Sequence, residues 1–154
     1  MSIVRIQPNA RGDALRVAIV QARFNPSIGE GLLAGALHAL HEAGVTDDRI
    51  TLVTVPGALE IPLALQRLAQ TRRHDALVAL GAVIRGETYH FEIVANESAG
   101  GVSSVALEFG VPIGNGILTC DTDAQAEGRM AAKGADAALA ALELANLLAA
   151  IDVR

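Results

Sequence analysis

Short apolar runs and longer stretches of helical periodicity alternate along this chain. Residues 16–21 (RVAIVQ) begin the series, and their brevity and β-branched side chains predict a buried strand. Asn25 and Pro26 follow, with Ser27 as the expected helix N-cap. Ile28, Leu32, Leu33, Ala36, Leu37 and Leu40 then recur at the spacing of one helical face until Gly44, a residue suited to a C-terminal stop. Residues 50–55 (ITLVTV) predict a second strand and PGA a turn. A helix over 59–69 accommodates Pro62 in its opening turn, where a missing N–H costs little. The pattern then predicts a strand over 75–80, a helix over 90–108, a short strand over 112–119 and an Ala- and Leu-rich helix over 135–151. Gly114 and Gly116 inside the last strand point to close approach by a ligand or a neighbour.

Strands alternating with helices, all short and apolar, predict an α/β fold: a parallel sheet between helices in a three-layer α/β/α sandwich. The segment 1–13 is left over, and its Ile3, Val4 and Ile6 predict an additional N-terminal strand, pairing with this sheet or with that of a neighbouring subunit. No repeat, linker or low-complexity stretch divides the chain, so residues 1–154 read as one domain.

Composition sharpens this. Apolar residues make up 51% of the chain but aromatic ones only 3%, so Ala, Val, Leu and Ile carry the packing. A chain of mean hydropathy +0.38 either buries a large share of itself or is covered by other subunits. The net charge of -5, without a Lys/Arg cluster, argues against a nucleic-acid partner. The opening MSIVRIQPNARGD lacks the basic start and apolar block of a signal peptide, and the apolar run over 76–84 is far short of the ~20 residues of a membrane span. A soluble, cytoplasmic protein with no membrane partner is expected. The lone Cys120 reads as a small packed residue.

Ligands of open parallel α/β sheets bind beyond the carboxyl ends of the strands. Phe24 and Asn25, residues 56–60, residues 84–90, and Asn115 with Gly116 are therefore expected on one rim. The GETYH turn presents the N–H groups of Gly86, Glu87 and Thr88 at a helix start, which favours an anion such as phosphate; Thr88 as a plain N-cap explains the turn equally well. His90 beside it is a candidate proton carrier, whereas His38, His41 and His74 read as surface residues. Glu60 either favours a helix dipole or serves a ligand. Arg129 and Lys133 stand i, i+4 on a helix, either as a solvated face beside Glu127 and Asp136 or as a site. Lys133 is the only lysine, the other eleven basic residues being arginine, so it is either a place where a compact ammonium matters or a chance of composition. No G-x-G-x-x-G follows the first strand, no P-loop or G-x-S-x-G elbow is present, and no His/Cys cluster is spaced for zinc.

Taken together, ARFN at 22–25, VPGALEIP at 55–62, ALGAVIRGETYHFEIVANES at 79–98, VPIGNGILTCDT at 111–122, and QAEGRM with KG over 125–134 resemble the lumazine synthase family, in order and at its spacing. The resemblance runs close to full length. It implies a flavodoxin-like fold with a four-stranded parallel sheet, and homopentamers with active sites between subunits, some of which assemble further into decamers or icosahedral shells. It implies condensation of 5-amino-6-(D-ribitylamino)uracil with 3,4-dihydroxy-2-butanone 4-phosphate, small-molecule substrates, and neither metal nor organic cofactor.

By motif, the resemblance implies that Phe24 stacks on the pyrimidine and that Ala58, Leu59 and Glu60 line the ribityl and ring site. Ala82, Val83 and Ile84 contact the pyrimidine largely through backbone. Glu87, Thr88 and Arg129 hold the phosphate, and His90 transfers protons. Leu59 and Asn115 stand where many members place Phe, which leaves a pyrimidine pocket that rests more on Phe24. The stretch from Arg129 to Lys133 is shorter than the family's R-x-G-x-K-x-G-N-K-G, and Lys133 takes the place of the lysine before the second Gly, near the ribityl group. Because this segment joins two helices that contact neighbouring pentamers in the shells, its length favours a free pentamer or a decamer.

Overall fold

The structure is a computed structural model that describes residues 2–153. Every residue of β1 (Val17–Ala22) is buried, because strands flank it on both sides. β2 (Ile50–Val55) runs parallel to it from Val17↔Ile50 to Ala22↔Val55, and β3 (Ala76–Ile84) from Val17↔Ala76 to Gln21↔Leu80. β4 (Ile113–Cys120) pairs with β3 and completes the order β2-β1-β3-β4. All four strands are parallel, in the flavodoxin-like arrangement expected.

The two-residue period of the strands sorts their side chains into two cores. Val17, Ile19, Val78 and Leu80 face α1 (Pro26–Glu42) and α4 (Asp123–Asp152); Ala18, Val20, Leu77 and Ala79 face α2 (Ile61–Thr71) and α3 (His90–Phe109). The first pair of helices packs through small residues: a β-carbon at Gly134 would fall 2.0 Å from the Leu32 carbonyl oxygen. The close neighbour expected at Gly114 is likewise helix backbone, since a β-carbon there would meet the Ala137 carbonyl at 1.9 Å. Cys120 is buried and unpaired, as a small core residue. Gly44 follows α1 at φ 98°, a conformation that glycine adopts without side-chain strain.

Several boundaries differ from the expectation. Asn25, not Ser27, caps α1, in the left-handed region at φ 60°; Pro26 at the first helical position, where no N–H is needed, starts the helix earlier. β3 runs on through Gly81 to Ile84. α4 begins at Asp123, capped by the Thr122 hydroxyl accepting from the Gln125 N–H at 3.2 Å, and continues unbroken for 30 residues. Arg129 and Lys133 therefore lie one turn apart within a single helix, and no joint between two helices exists there. α4 is long and apolar enough to cross a membrane, but Ala126, Gly134, Ala137, Ala138, Ala141, Leu142 and Ala145 along it are buried in the core.

Among the described residues the additional N-terminal strand does not form within the chain. Met1, at the start of that segment, lies outside the described residues. Residues 9–13 are pinned elsewhere: the Gly12 N–H donates to the Ala43 carbonyl at 2.8 Å, and the Asn146 amide donates to the carbonyls of Asn9 and Arg11. Ile3 and Val4 before them are exposed, with no strand beside them.

Candidate active site

The carboxyl ends of β1 and β3, the turn after β2 and the first turns of α3 surround a cavity of about 400 Å³. Past the end of β1 the ladder with β2 continues: the Arg23 N–H donates to the Val55 carbonyl at 2.8 Å and the Phe24 N–H to the Pro56 carbonyl at 3.0 Å. This fixes the Phe24 backbone on the rim while the residue stays 71% exposed. An aromatic held in water at a cavity mouth is a ready stacking surface. The Asn25 amide reaches the Ala82 carbonyl at 3.4 Å, tying the start of α1 to the end of β3.

Opposite the ring lie Ala82, Val83 and Ile84, the last residues of β3, and a single 3-10 turn over Ala58–Glu60. Ala58 is buried, while Leu59 and Glu60 are exposed, and all three line the cavity. Glu60 directly precedes α2, where orphan backbone donors begin, and its side chain makes no capping hydrogen bond there.

The GETYH turn forms the third side. Residues 86–90 are all exposed, and Gly86, Thr88 and His90 line the cavity. Tyr89 is the residue capping α3; Thr88 accepts a long 3.4 Å bond from the His90 N–H. Among the described residues, the N–H groups of Gly86, Glu87 and Thr88 find no protein acceptor. Free donors at a helix start suit an anion's oxygens. The turn is bounded by Arg85, whose guanidinium donates to Asp121 at 2.8 Å and to Glu92 and lies 4.3 Å from the centre of the Phe91 ring. Those two bonds raise the Arg85 pKa, and Arg85 holds the Glu92 carboxyl below its usual range.

Phe24, Ala58, Leu59, Glu60, Ala82, Val83, Ile84, Thr88 and His90 are thus brought together as expected. Glu87 is in the same turn but not in the cavity wall. Gly57 and Gly86 line the cavity as parts of the expected rim segments 56–60 and 84–90, whereas Phe91 and Val94 line it without an expectation from the sequence. Phe91 and Val94 stand i, i+3 directly after His90, a helical-face signal present in the sequence.

The remaining candidates lie elsewhere. Asn115 pairs in register with Ala79, three residues before the Ala82↔Leu118 pair, so it sits, exposed, away from the carboxyl rim on the edge strand β4. Its side-chain oxygen accepts from the Ile117 N–H at 2.9 Å. Arg129 and Lys133 line a second cavity of about 460 Å³, together with the end of β4, Gln125 and Asp136. The two cavities share no lining residue. His41 is a surface residue 2.6 Å from Asp47, but His74 is half-buried, its Nδ1 is without a partner, and burial, then Arg16 and Arg73, lower its pKa. Among the described residues no three His, Cys, Asp or Glu side chains are grouped to hold a metal ion.

Fold and cavity together define a parallel α/β protein with a carboxyl-edge cleft between an exposed aromatic residue and a turn of unpartnered N–H groups. Residues 14–149 match the model of the 6,7-dimethyl-8-ribityllumazine synthase family. A 6,7-dimethyl-8-ribityllumazine synthase of Paraburkholderia phymatum is 56% identical over 152 residues, 99% of this chain and 88% of the relative. Proteins of the same name from Paraburkholderia phytofirmans and Burkholderia pseudomallei are each 55% identical, covering 99% of this chain and 90% and 88% of theirs. The chain belongs to the 6,7-dimethyl-8-ribityllumazine synthase family.

Proposed function

We propose that this chain is a transferase of riboflavin biosynthesis that condenses 5-amino-6-(D-ribitylamino)uracil with 3,4-dihydroxy-2-butanone 4-phosphate to 6,7-dimethyl-8-ribityllumazine, releasing phosphate and water. One observation carries the reading: a single cavity joins the exposed Phe24 ring, the strand end at 82–84 and a turn of free N–H donors next to His90. The pyrimidine stacks on Phe24 and lies along the backbone of β3. Its ribityl hydroxyls reach Glu60 and the Leu59 side of the turn. The butanone phosphate takes the N–H groups of 86–88 and the Thr88 hydroxyl, with Glu87 in the same turn.

The chemistry asks little of the protein. The uracil's 5-amino nitrogen attacks the butanone carbonyl, and water leaves as the imine forms. Elimination then expels phosphate, and the neighbouring ribitylamino nitrogen closes the ring with loss of a second water. Each nucleophile belongs to the substrate. The protein's part is to hold the two molecules in contact, to move protons through His90, and to stabilise charge on the departing phosphate.

Arg129, as the phosphate's guanidinium partner, lies in the second cavity of its own chain, as does Lys133, assigned to the ribityl end. We therefore assign them, with Asn115, to the site of a neighbouring subunit, in a homopentamer with active sites between protomers. The open outer edges of β2 and β4 and the exposed Ile3 and Val4 support such an assembly, with residues 3–6 pairing against a neighbour's sheet. The unbroken α4 supports a free pentamer or a decamer over a shell. The protein works in the cytoplasm, without a cofactor.

The test is a two-substrate assay. Lumazine chromophore should form faster with protein than in the uncatalysed mixture; equal rates with tight product binding would make the chain a lumazine-binding module instead.

A further inference from the structure

We propose that Arg85 is a positioning residue that sets the geometry of the phosphate-binding turn while contacting no substrate itself. The inference rests on the function proposed above and deepens it.

The turn at 86–88 has almost nothing of its own to hold it. Its residues are exposed, no heavy atom lies within 4 Å of a β-carbon built on Gly86, and the long Thr88–His90 contact is its one hydrogen bond among the described residues. Three free backbone donors make a useful anion site only when they are aimed together, and an unsupported loop would spend most of its time misaimed. Its shape is therefore set at its ends.

Arg85 ties both ends at once. Its backbone N–H donates to the Cys120 carbonyl at 2.9 Å, extending the β3–β4 ladder one residue past β3. Its Nε donates to the Asp121 carboxylate at 2.8 Å, just past β4. Its other arm donates to Glu92 in the first turn of α3, and the guanidinium plane lies over the Phe91 ring at 4.3 Å. One planar side chain thus joins the start of the turn, the end of the neighbouring strand and the helix that follows the turn. Phe91 is itself a wall of the cavity.

Charge decides between a positioning role and a phosphate-binding one. A single guanidinium faces two carboxylates, those of Asp121 and Glu92, so this cluster carries one negative charge in excess. Such a group repels a phosphate dianion and does not recruit it. An anchoring arginine needs its fork free, as in a bidentate phosphate contact.

Steady-state kinetics with each substrate varied in turn tests this on the full chain, using Arg85→Ala, Arg85→Lys and Glu92→Gln. Arg85→Ala should raise KM for the butanone phosphate and lower kcat, each about tenfold, with KM for the pyrimidine within about twofold. Arg85→Lys should not restore the loss, because one ammonium cannot fork between two carboxylates and stack on a ring. Glu92→Gln keeps the side-chain volume and relieves the cluster's excess charge, yet by loosening the tie to α3 it should lower kcat in the same direction as Arg85→Ala. If Arg85 bound phosphate directly, Glu92→Gln would lower KM for the butanone phosphate with kcat kept, and the proposal would be overturned. Unchanged constants in Arg85→Ala would overturn it too. Should Arg85→Ala not fold, as read by circular dichroism, the sign of the Glu92→Gln effect still decides. A wild-type protein that fails to accelerate lumazine formation would sink the functional reading, a result separate from any variant's.

Discussion

Gly35 of α1 lies so close to Ala131 of α4 that a β-carbon added to it would stand 2.2 Å from the Ala131 carbonyl oxygen. The obstacle is helix backbone, which cannot swing aside as a side chain would. Gly35→Val should therefore force the two helices apart and cost about 1–3 kcal/mol, an overpacking penalty. Urea denaturation followed by circular dichroism reads this as a lower midpoint. An unchanged midpoint would mean that the helices have slack between them.

Arg129 is expected to act on the phosphate substrate alone. Arg129→Ala should raise KM for the butanone phosphate by about 10–100-fold, the scale of a lost hydrogen bond to a charged group, and leave KM for the pyrimidine nearly as it was. Equal weakening of both substrates would remove Arg129 from the phosphate role.

His90 moves protons in a condensation whose nucleophiles belong to the substrates. His90→Ala should lower kcat by about 10–100-fold, at the low end of general acid–base catalysis. A fall of many orders of magnitude in stopped-flow or steady-state rates would give the histidine a larger part than proton transfer.

His74 gives stability a pH dependence far from the cleft. Burial lowers its pKa first, then Arg16 and Arg73, while Asp75 opposes them. A histidine whose folded pKa lies below its unfolded value near 6.5 binds more protons when unfolded. Its contribution is therefore complete above that value and is lost as the pH falls below it. Thermal melts between pH 7.5 and 5 should show a smaller acid-side decline for His74→Gln than for the wild type. Parallel declines would place the sensitivity in other groups.

Much of the architecture was legible in the sequence because each strand is short, β-branched and followed by a helical face, as with residues 16–21 and the stripe from Ile28 to Leu40. The gathering of Phe24, residues 58–60, residues 82–84 and His90 was legible too, since the carboxyl ends of adjacent parallel strands must share a rim. That rule does not distinguish central from edge strands or the two faces of the sheet. Asn115 and Arg129 were therefore expected on a rim that, within one chain, excludes them. The helix expected over 135–151 extends back to Asp123, and Gly134 within it is there for contact with α1, a reason that belongs to tertiary packing. The strand expected near Ile3 failed within the chain because apolar alternation says nothing about whether an edge is within reach.

The separation of His90 and Arg129 into cavities without a common residue has a genetic consequence. If each working site takes His90 from one protomer and Arg129 from the next, a copy defective at one position still brings the intact half to its neighbour. Two alleles that each fail alone should then rescue each other when expressed together. Random mixing of equal amounts in a closed ring would restore about one interface in four.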